Sequence, residues 1–244
     1  MVKNKYCLGK HRAVHDLRTL RYRDYRIPLP AVPPQAIWGD KVIDWGMMGN
    51  DQYGCCGVAG AGHLILDWTT NAGKPVKLTA KQIIKAYLKY TGGQDNGVCL
   101  LDFLKYWRTK GLCGHKIVAF MAIDTKNLTE IKEGINLFGG LYMGFSLPDY
   151  VVPDSGNWDI IPWNNTDNPP DPNNGHCIMS PGYKTDIDGV TWGIKKPISV
   201  PFVQKYADEG YAIVTQDWID KQGKSPSGLN LKGLLADLTA IKNG

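Results

Sequence analysis

The run Gly49-Asn50-Asp51-Gln52-Tyr53-Gly54-Cys55-Cys56-Gly57-Val58-Ala59-Gly60-Ala61-Gly62-His63 constrains this chain more than any other stretch. Its first half is built of turn formers: Gly supplies unusual φ values, and Asn and Asp bond their own backbone. Its second half is small and apolar and leads into Leu64, Ile65, Leu66 and Trp68, which predicts a tightly packed helix from about Cys56 to Thr70. The vicinal cysteines therefore stand where loop becomes helix. Backbone N–H groups lack partners there and the helix dipole favours negative charge. A thiol in that place ionises more easily, and the thiolate is the nucleophile. The amides of Asn50 and Gln52 are candidate donors to a developing oxyanion. Two inert, buried cysteines fit the same residues, because structural Cys is common in cores.

The chain has 244 residues, enough for one large domain or two small lobes around a cleft. No apolar run is long enough to predict a transmembrane helix. The start, Met1-Val2-Lys3-Asn4-Lys5, has no apolar segment behind it, so no secretory signal is expected. Six cysteines without such a signal point to reduced thiols and a cytoplasmic setting. Residues 1–35 hold eight basic residues against Asp16 and Asp24; the arm is +6 and the remaining chain, with the total at +5, is −1. Ile27-Pro28-Leu29-Pro30-Ala31-Val32-Pro33-Pro34 must be extended. A basic, proline-rich arm of this kind lies over a surface or docks on another subunit.

Periodicity orders the rest. Leu17 and Leu20 suit a short helix in the arm. Thr79 caps a helix carrying Ile83, Ile84, Tyr87 and Leu88; another runs from Leu100 through Trp107 to Gly111. Then come a strand over 116–123, a helix over 128–137, a strand over 141–145, and an irregular stretch over 146–175 with a short strand at Trp158, Ile160 and Ile161. A strand opens on His176; Asp186-Ile187-Asp188-Gly189 is expected to turn a hairpin, with 190–195 as its return strand. A helix starts at Ser199-Val200-Pro201, a strand covers 211–214, and a last helix covers 231–241. Cys7, His11 and His15 recur every four residues but lack a Cys-x-x-Cys partner, so no metal or other cofactor is expected. His63 shares a helix face with Cys56 but lies about 10 Å along it, which makes it a packed core histidine.

A cysteine nucleophile needs a base within reach, and His176, opening its strand, is the candidate. Asp44-Trp45 followed by Asn50 through Cys56, His176 with Gly182-Tyr183 six residues on, Thr191-Trp192-Gly193, and Gly210-Tyr211 together resemble the papain-like cysteine peptidases. The likeness covers roughly residues 35–215 in element order. It implies an α+β, papain-like fold with a basic arm over 1–35, a helical lobe over 36–115 carrying the nucleophile, and a lobe over 116–244 with an antiparallel β-barrel-like sheet, the cleft lying between the lobes. It implies Cys56 as nucleophile, with Cys55 the alternative, and His176 as base. The family's oxyanion amide lies six residues before the nucleophile, where this chain has Asn50; Gln52 is four before. Val190 stands where the family has the Asn that orients the histidine, so Asp188 or Thr191 must substitute if anything does. Gly57 replaces the family's usual Trp. Cys177, alternating with His176, is expected on the opposite face, in the core with Cys99 and Cys113. A looser similarity to proteins encoded by tailed bacteriophages rests on the Asn-Asp-…-Gly-x-Cys and Thr-Trp-Gly pieces.

Two functions follow. One is a thiol hydrolase cleaving a peptide or a peptidoglycan-type amide, with no membrane partner. The other is a catalytically degenerate papain-like scaffold, a structural subunit of an assembly such as a virion, docked on other subunits through residues 1–35. Nucleic-acid binding through the arm has basic residues and the interleaved Tyr6, Tyr22 and Tyr25 in its favour but no recognised module.

Overall fold

The computed structural model describes residues 6–25, 31–152 and 161–228. Helix α1, Cys56–Asn71, is buried over almost its whole length. Its glycines explain how. A Cβ at Gly57 would lie 2.4 Å from Val98, one at Gly60 3.0 Å from the Cys177 sulfur, and one at Gly62 2.5 Å from the Met48 sulfur. The run of small residues thus lets neighbouring elements close on the helix from several sides, while Leu64, Ile65 and Trp68 are fully buried. Burial of each such side chain contributes about 1.5–3 kcal/mol. Helix α2, Ala80–Tyr90, begins in a capping box between Thr79 and Gln82. Helix α3, Leu100–Lys110, ends at Gly111, whose φ is 84°.

The strands are β1 (Ala36–Ile37), β2 (Ile117–Ala122), β3 (Leu141–Ser146), β4 (Gly175–Tyr183), β5 (Ile187–Thr191), β6 (Ile194–Ile198) and β7 (Ala207–Thr215). They pair antiparallel in the order β2-β7-β3-β4-β5-β6, with β1 on β4. Among the described residues β2 and β6 are not paired, so the sheet stays open. Side-chain alternation along a strand sends successive residues to opposite faces, and the sheet uses this to serve two cores. Tyr142, Cys177, Met179, Tyr211 and Ile213 face α1, α2 and α3. Leu141, Met143, Ile178, Ala212 and Val214 face the other way, onto helices α4 (Leu128–Phe138) and α5 (Val200–Tyr206). Asn127 caps α4, and Gly139, in the left-handed region, ends it. The α+β, papain-like expectation is met.

Four local expectations are corrected. The hairpin turn falls earlier, at Lys184–Asp186, so 187–189 belong to β5. The expected return strand is two strands, split at Trp192 and Gly193, both with positive φ. Leu17 and Leu20 are not on a helix: Leu17 lies in a turn with 85% of its surface exposed. Strand β7 extends four residues upstream of Tyr211. The suggested strand at Trp158–Ile161 lies almost wholly outside the described residues, and the suggested helix over 231–241 does so entirely.

Candidate active site

The start of α1 and the start of β4 meet. Cys55 is the N-cap of α1 and no side chain caps that end, so the first-turn N–H groups are available. The Cys56 thiol lies against the backbone N–H groups of Cys177, Gly57 and Gly9, all of which favour a thiolate, and Lys10 adds a positive charge nearby. The Cys177 amide that faces the thiol follows His176 in β4. Cys55, by contrast, turns its sulfur 3.7 Å from the Met48 carbonyl.

His176 is fully buried and held on two sides. Its Nε2 and the Thr191 hydroxyl share a hydrogen bond of 2.5 Å. Its ring stacks on Trp192, with centroids 4.1 Å apart and planes at 22°. Trp192 reaches that position through the turn between β5 and β6, at a φ of 45°. His176 Nδ1 is buried and makes no hydrogen bond among the described residues. Thr191 thus lies at the imidazole. Asp188 is directed elsewhere: its carboxylate lies 3.8 Å from Lys195 Nζ. Val190 is buried in the core.

Asn50 is buried, and its Nδ2 donates to the carbonyls of Cys7 (2.9 Å) and Tyr53 (3.0 Å). Gln52 is exposed. Of the two amides, Asn50 is the buried one and the one bonded to the Cys7 carbonyl. His63 packs edge-on to Trp45, and its Nε2 lies 3.0 Å from the Gly46 carbonyl. Burial lowers its pKa to about 4.

That Cys7 carbonyl belongs to the arm, whose path the sequence did not indicate. Residues 6–11 lie in the cleft of their own chain. Cys7 N donates to the Asn50 carbonyl, and Trp192 Nε1 to the Cys7 carbonyl. Gly9 N and Lys10 N both point at the Gly175 carbonyl, at 3.2 and 3.0 Å. Val98 N donates to Gly9 O and His11 N to Val98 O, so Lys10 and Val98 form a parallel bridge. The groove is walled by glycine backbone. A Cβ on Gly9 would fall 1.8 Å from the Gly54 oxygen, one on Gly97 2.3 Å from the Gly9 oxygen, and one on Gly175 2.0 Å from the Lys10 oxygen. Only bare backbone fits on those approaches. The remaining open space, about 480 Å³, is lined by the arm with Gly54, Asp95–Gly97, Asn173 and Gly175.

Covering the site removes charge from it. Burial pushes the Cys56 thiol up to about 11 despite its three N–H neighbours, and lowers His176 to about 3. With the arm seated, both groups are neutral at pH 7. Among the described residues no cluster of His, Cys, Asp and Glu could hold a metal ion, and no helix is long and apolar enough to cross a membrane.

A central glycine-rich helix that starts on a cysteine, packed on an open antiparallel sheet with a histidine at the start of one of its strands, describes a papain-like fold. Solved structures bear this out. Xylellain, a cysteine protease from Xylella fastidiosa, superposes with a TM-score of 0.66 over 88% of this chain and 98% of its own, at 14% identity. The digestive procathepsin L 3 of Tenebrio molitor larval midgut gives 0.55 over 87% and 77%, at 9% identity. The ragweed pollen cysteine protease Amb a 11, in its proform, gives 0.55 over 78% and 68%, at 12% identity. No protein-family model and no curated protein sequence matches the chain.

Proposed function

We propose that the chain is a papain-like thiol hydrolase of peptide or related amide bonds, described here with its cleft closed by its own arm. The observation that carries this reading is the pair of environments: backbone N–H groups of Cys177 and Gly57 against the Cys56 thiol, and, next to Cys177 in the chain, a histidine with Nε2 held by Thr191 and Nδ1 left without a hydrogen bond among the described residues. With the Nε2 proton donated to the Thr191 oxygen, the Nδ1 lone pair is available to take the Cys56 proton once the arm leaves and water enters. The thiolate then attacks the amide carbonyl, and the C=O π pair moves onto oxygen. Asn50 Nδ2 donates to that oxyanion. The oxyanion collapses, the C–N bond breaks, and the leaving amine takes the Nδ1 proton. Water, deprotonated by His176, opens the thioester and restores the thiol.

The competing reading, a scaffold without catalysis, draws on Val190 standing where an orienting amide is expected. Thr191 supplies an alternative hydrogen bond from the next position, which supports the enzyme. The test is hydrolysis of a fluorogenic peptide mixture by the full chain carrying Gly9→Ala, which clashes with Gly54 and lifts the arm. Turnover that vanishes on adding Cys56→Ala and persists on adding Cys55→Ala supports the reading. Turnover indifferent to Cys56→Ala removes it.

A further inference from the structure

Lys10 is a buried lysine beside a candidate nucleophile, and nothing in the proposed hydrolysis requires it. Its side chain has no exposed surface and fills a pocket between β3 and β7. Nζ lies 2.9 Å from Asp208 Oδ2, 3.4 Å from Glu209 Oε1 and 3.1 Å from the His11 carbonyl. The pocket is built to hold its carboxylates still. Ser146 Oγ donates to Asp208 Oδ2 at 2.7 Å, and Tyr211 Oη to Glu209 Oε2 at 2.8 Å. Gly144 opens the wall, since a Cβ there would meet Lys10 Cε at 2.2 Å. The pocket mouth is one residue from the thiol: the Gly9 backbone lies against Cys56, and the next residue, Lys10, carries the side chain that fills the pocket.

Two features identify the occupant. Two acidic side chains face one ammonium, and it does not saturate them. Asp208 Oδ1 is buried without a hydrogen bond, and Glu209 Oε1 has only the Lys10 ammonium, at 3.4 Å. An ammonium has three donors; a guanidinium has five in a planar fork and suits paired carboxylates better. When the arm leaves, Lys10 leaves with it, and the two carboxylates then stand bare beside the cleft. Buried charge of that kind demands a cation in return.

We infer that this pocket is the substrate-selecting subsite, receiving an arginine or lysine side chain of the peptide substrate, with Lys10 of the arm as its resident occupant. The inference rests on the thiol-hydrolase reading above and adds the substrate class: peptides with a basic residue one position from the bond over Cys56.

The first test needs no catalysis. In the full chain with Lys10→Ala, n-butylguanidinium and n-butylammonium are expected to raise the melting temperature saturably, the guanidinium at lower concentration, while n-butanol does not. Adding Glu209→Gln and Asp208→Asn is expected to abolish the effect. Equal response to butanol, or none to either cation, overturns the proposal. Should Lys10→Ala fail to fold, the Gly9→Ala chain keeps the pocket native. There, a dipeptidyl chloromethyl ketone with arginine before the reactive glycine is expected to alkylate Cys56 at least ~10-fold faster than its norleucine analogue, charged hydrogen bonds being worth that much or more. Equal rates overturn it. Cation binding in a chain whose Cys56 resists iodoacetamide supports the pocket and refutes the thiol-hydrolase reading. Rapid Cys56 alkylation with no cation preference does the reverse.

Discussion

Gly9→Ala is the sharpest single perturbation the structure offers. The added Cβ falls 1.8 Å from the Gly54 oxygen and 2.4 Å from the Gly54 carbon, and both are backbone atoms that have no rotamer to escape into. The arm must lift. It then forfeits the hydrogen bonds of Cys7, Gly9, Lys10 and His11 to Asn50, Gly175 and Val98, each worth about 1 kcal/mol net. A lower melting temperature follows. The larger effect is on Cys56. Seated, the thiol is pushed up to about 11 by burial. Exposed, it returns to about 8.5 or below. At pH 7.5 the thiolate fraction then rises roughly 300-fold, before any gain in access is counted. Iodoacetamide alkylation followed by peptide mapping reads this out. Cys56 labelling at least ~100-fold faster than in the unsubstituted chain is expected, with Cys99 and Cys113 unchanged. A folded Gly9→Ala chain that labels at the unsubstituted rate would show that the arm does not control the thiol.

Other expectations concern single residues, with activity measured in the Gly9→Ala background. Thr191→Val removes the partner of a buried imidazole nitrogen; a stability loss of about 1–3 kcal/mol by urea titration and a fall in kcat of up to ~100-fold are expected, with Thr191→Ser restoring most of both. Asn50→Leu is expected to lower kcat by ~10²–10³, whereas Gln52→Ala, at an exposed side chain, leaves it within about twofold. His63, lowered to about 4 by burial, sits below its unfolded value of about 6.5, so the unfolded chain takes up its proton first as pH falls. Stability tied to this group is complete above about pH 6.5 and is lost toward pH 4. Between pH 7.5 and 5 the native chain is expected to lose about 2 kcal/mol more than His63→Gln, a difference that cancels the other titrating groups.

Local signals carried well where the physics is local. Thr79 with Gln82, Gly111, Asn127 and Gly139 mark helix ends because caps and left-handed turns are decided within a few residues. Cys56 at a helix start and His176 at a strand start were legible for the same reason. The hairpin was misplaced because Asp188-Gly189 has turn composition yet pairs in β5, and the break between β5 and β6 was missed because a tryptophan takes the positive φ there. Trp192 adopts that backbone while it stacks on His176, a contact between distant segments. Strand β7 was read short because Asp208 and Glu209 break its apolar pattern; they are tolerated there because Lys10, almost the whole chain away, neutralises them. The arm's course was missed because nothing in its own composition distinguishes a foreign surface from its own cleft. The one available signal was Gly9-Lys10 itself, a bare backbone position next to a cation, and its meaning depends on the glycines and acids it meets.

In the proposed hydrolase, Cys56 and His176 work as a pair once the arm is out of the way. The pH dependence of Cys56 alkylation in the Gly9→Ala chain, with and without His176→Ala, tests it most directly. With His176 holding the thiolate as an ion pair, alkylation is expected to stay fast below pH 7, and His176→Ala to return Cys56 to a single titration near the ordinary thiol value of about 8.5. Superimposable profiles for the two chains, both rising only near that value, would contradict it.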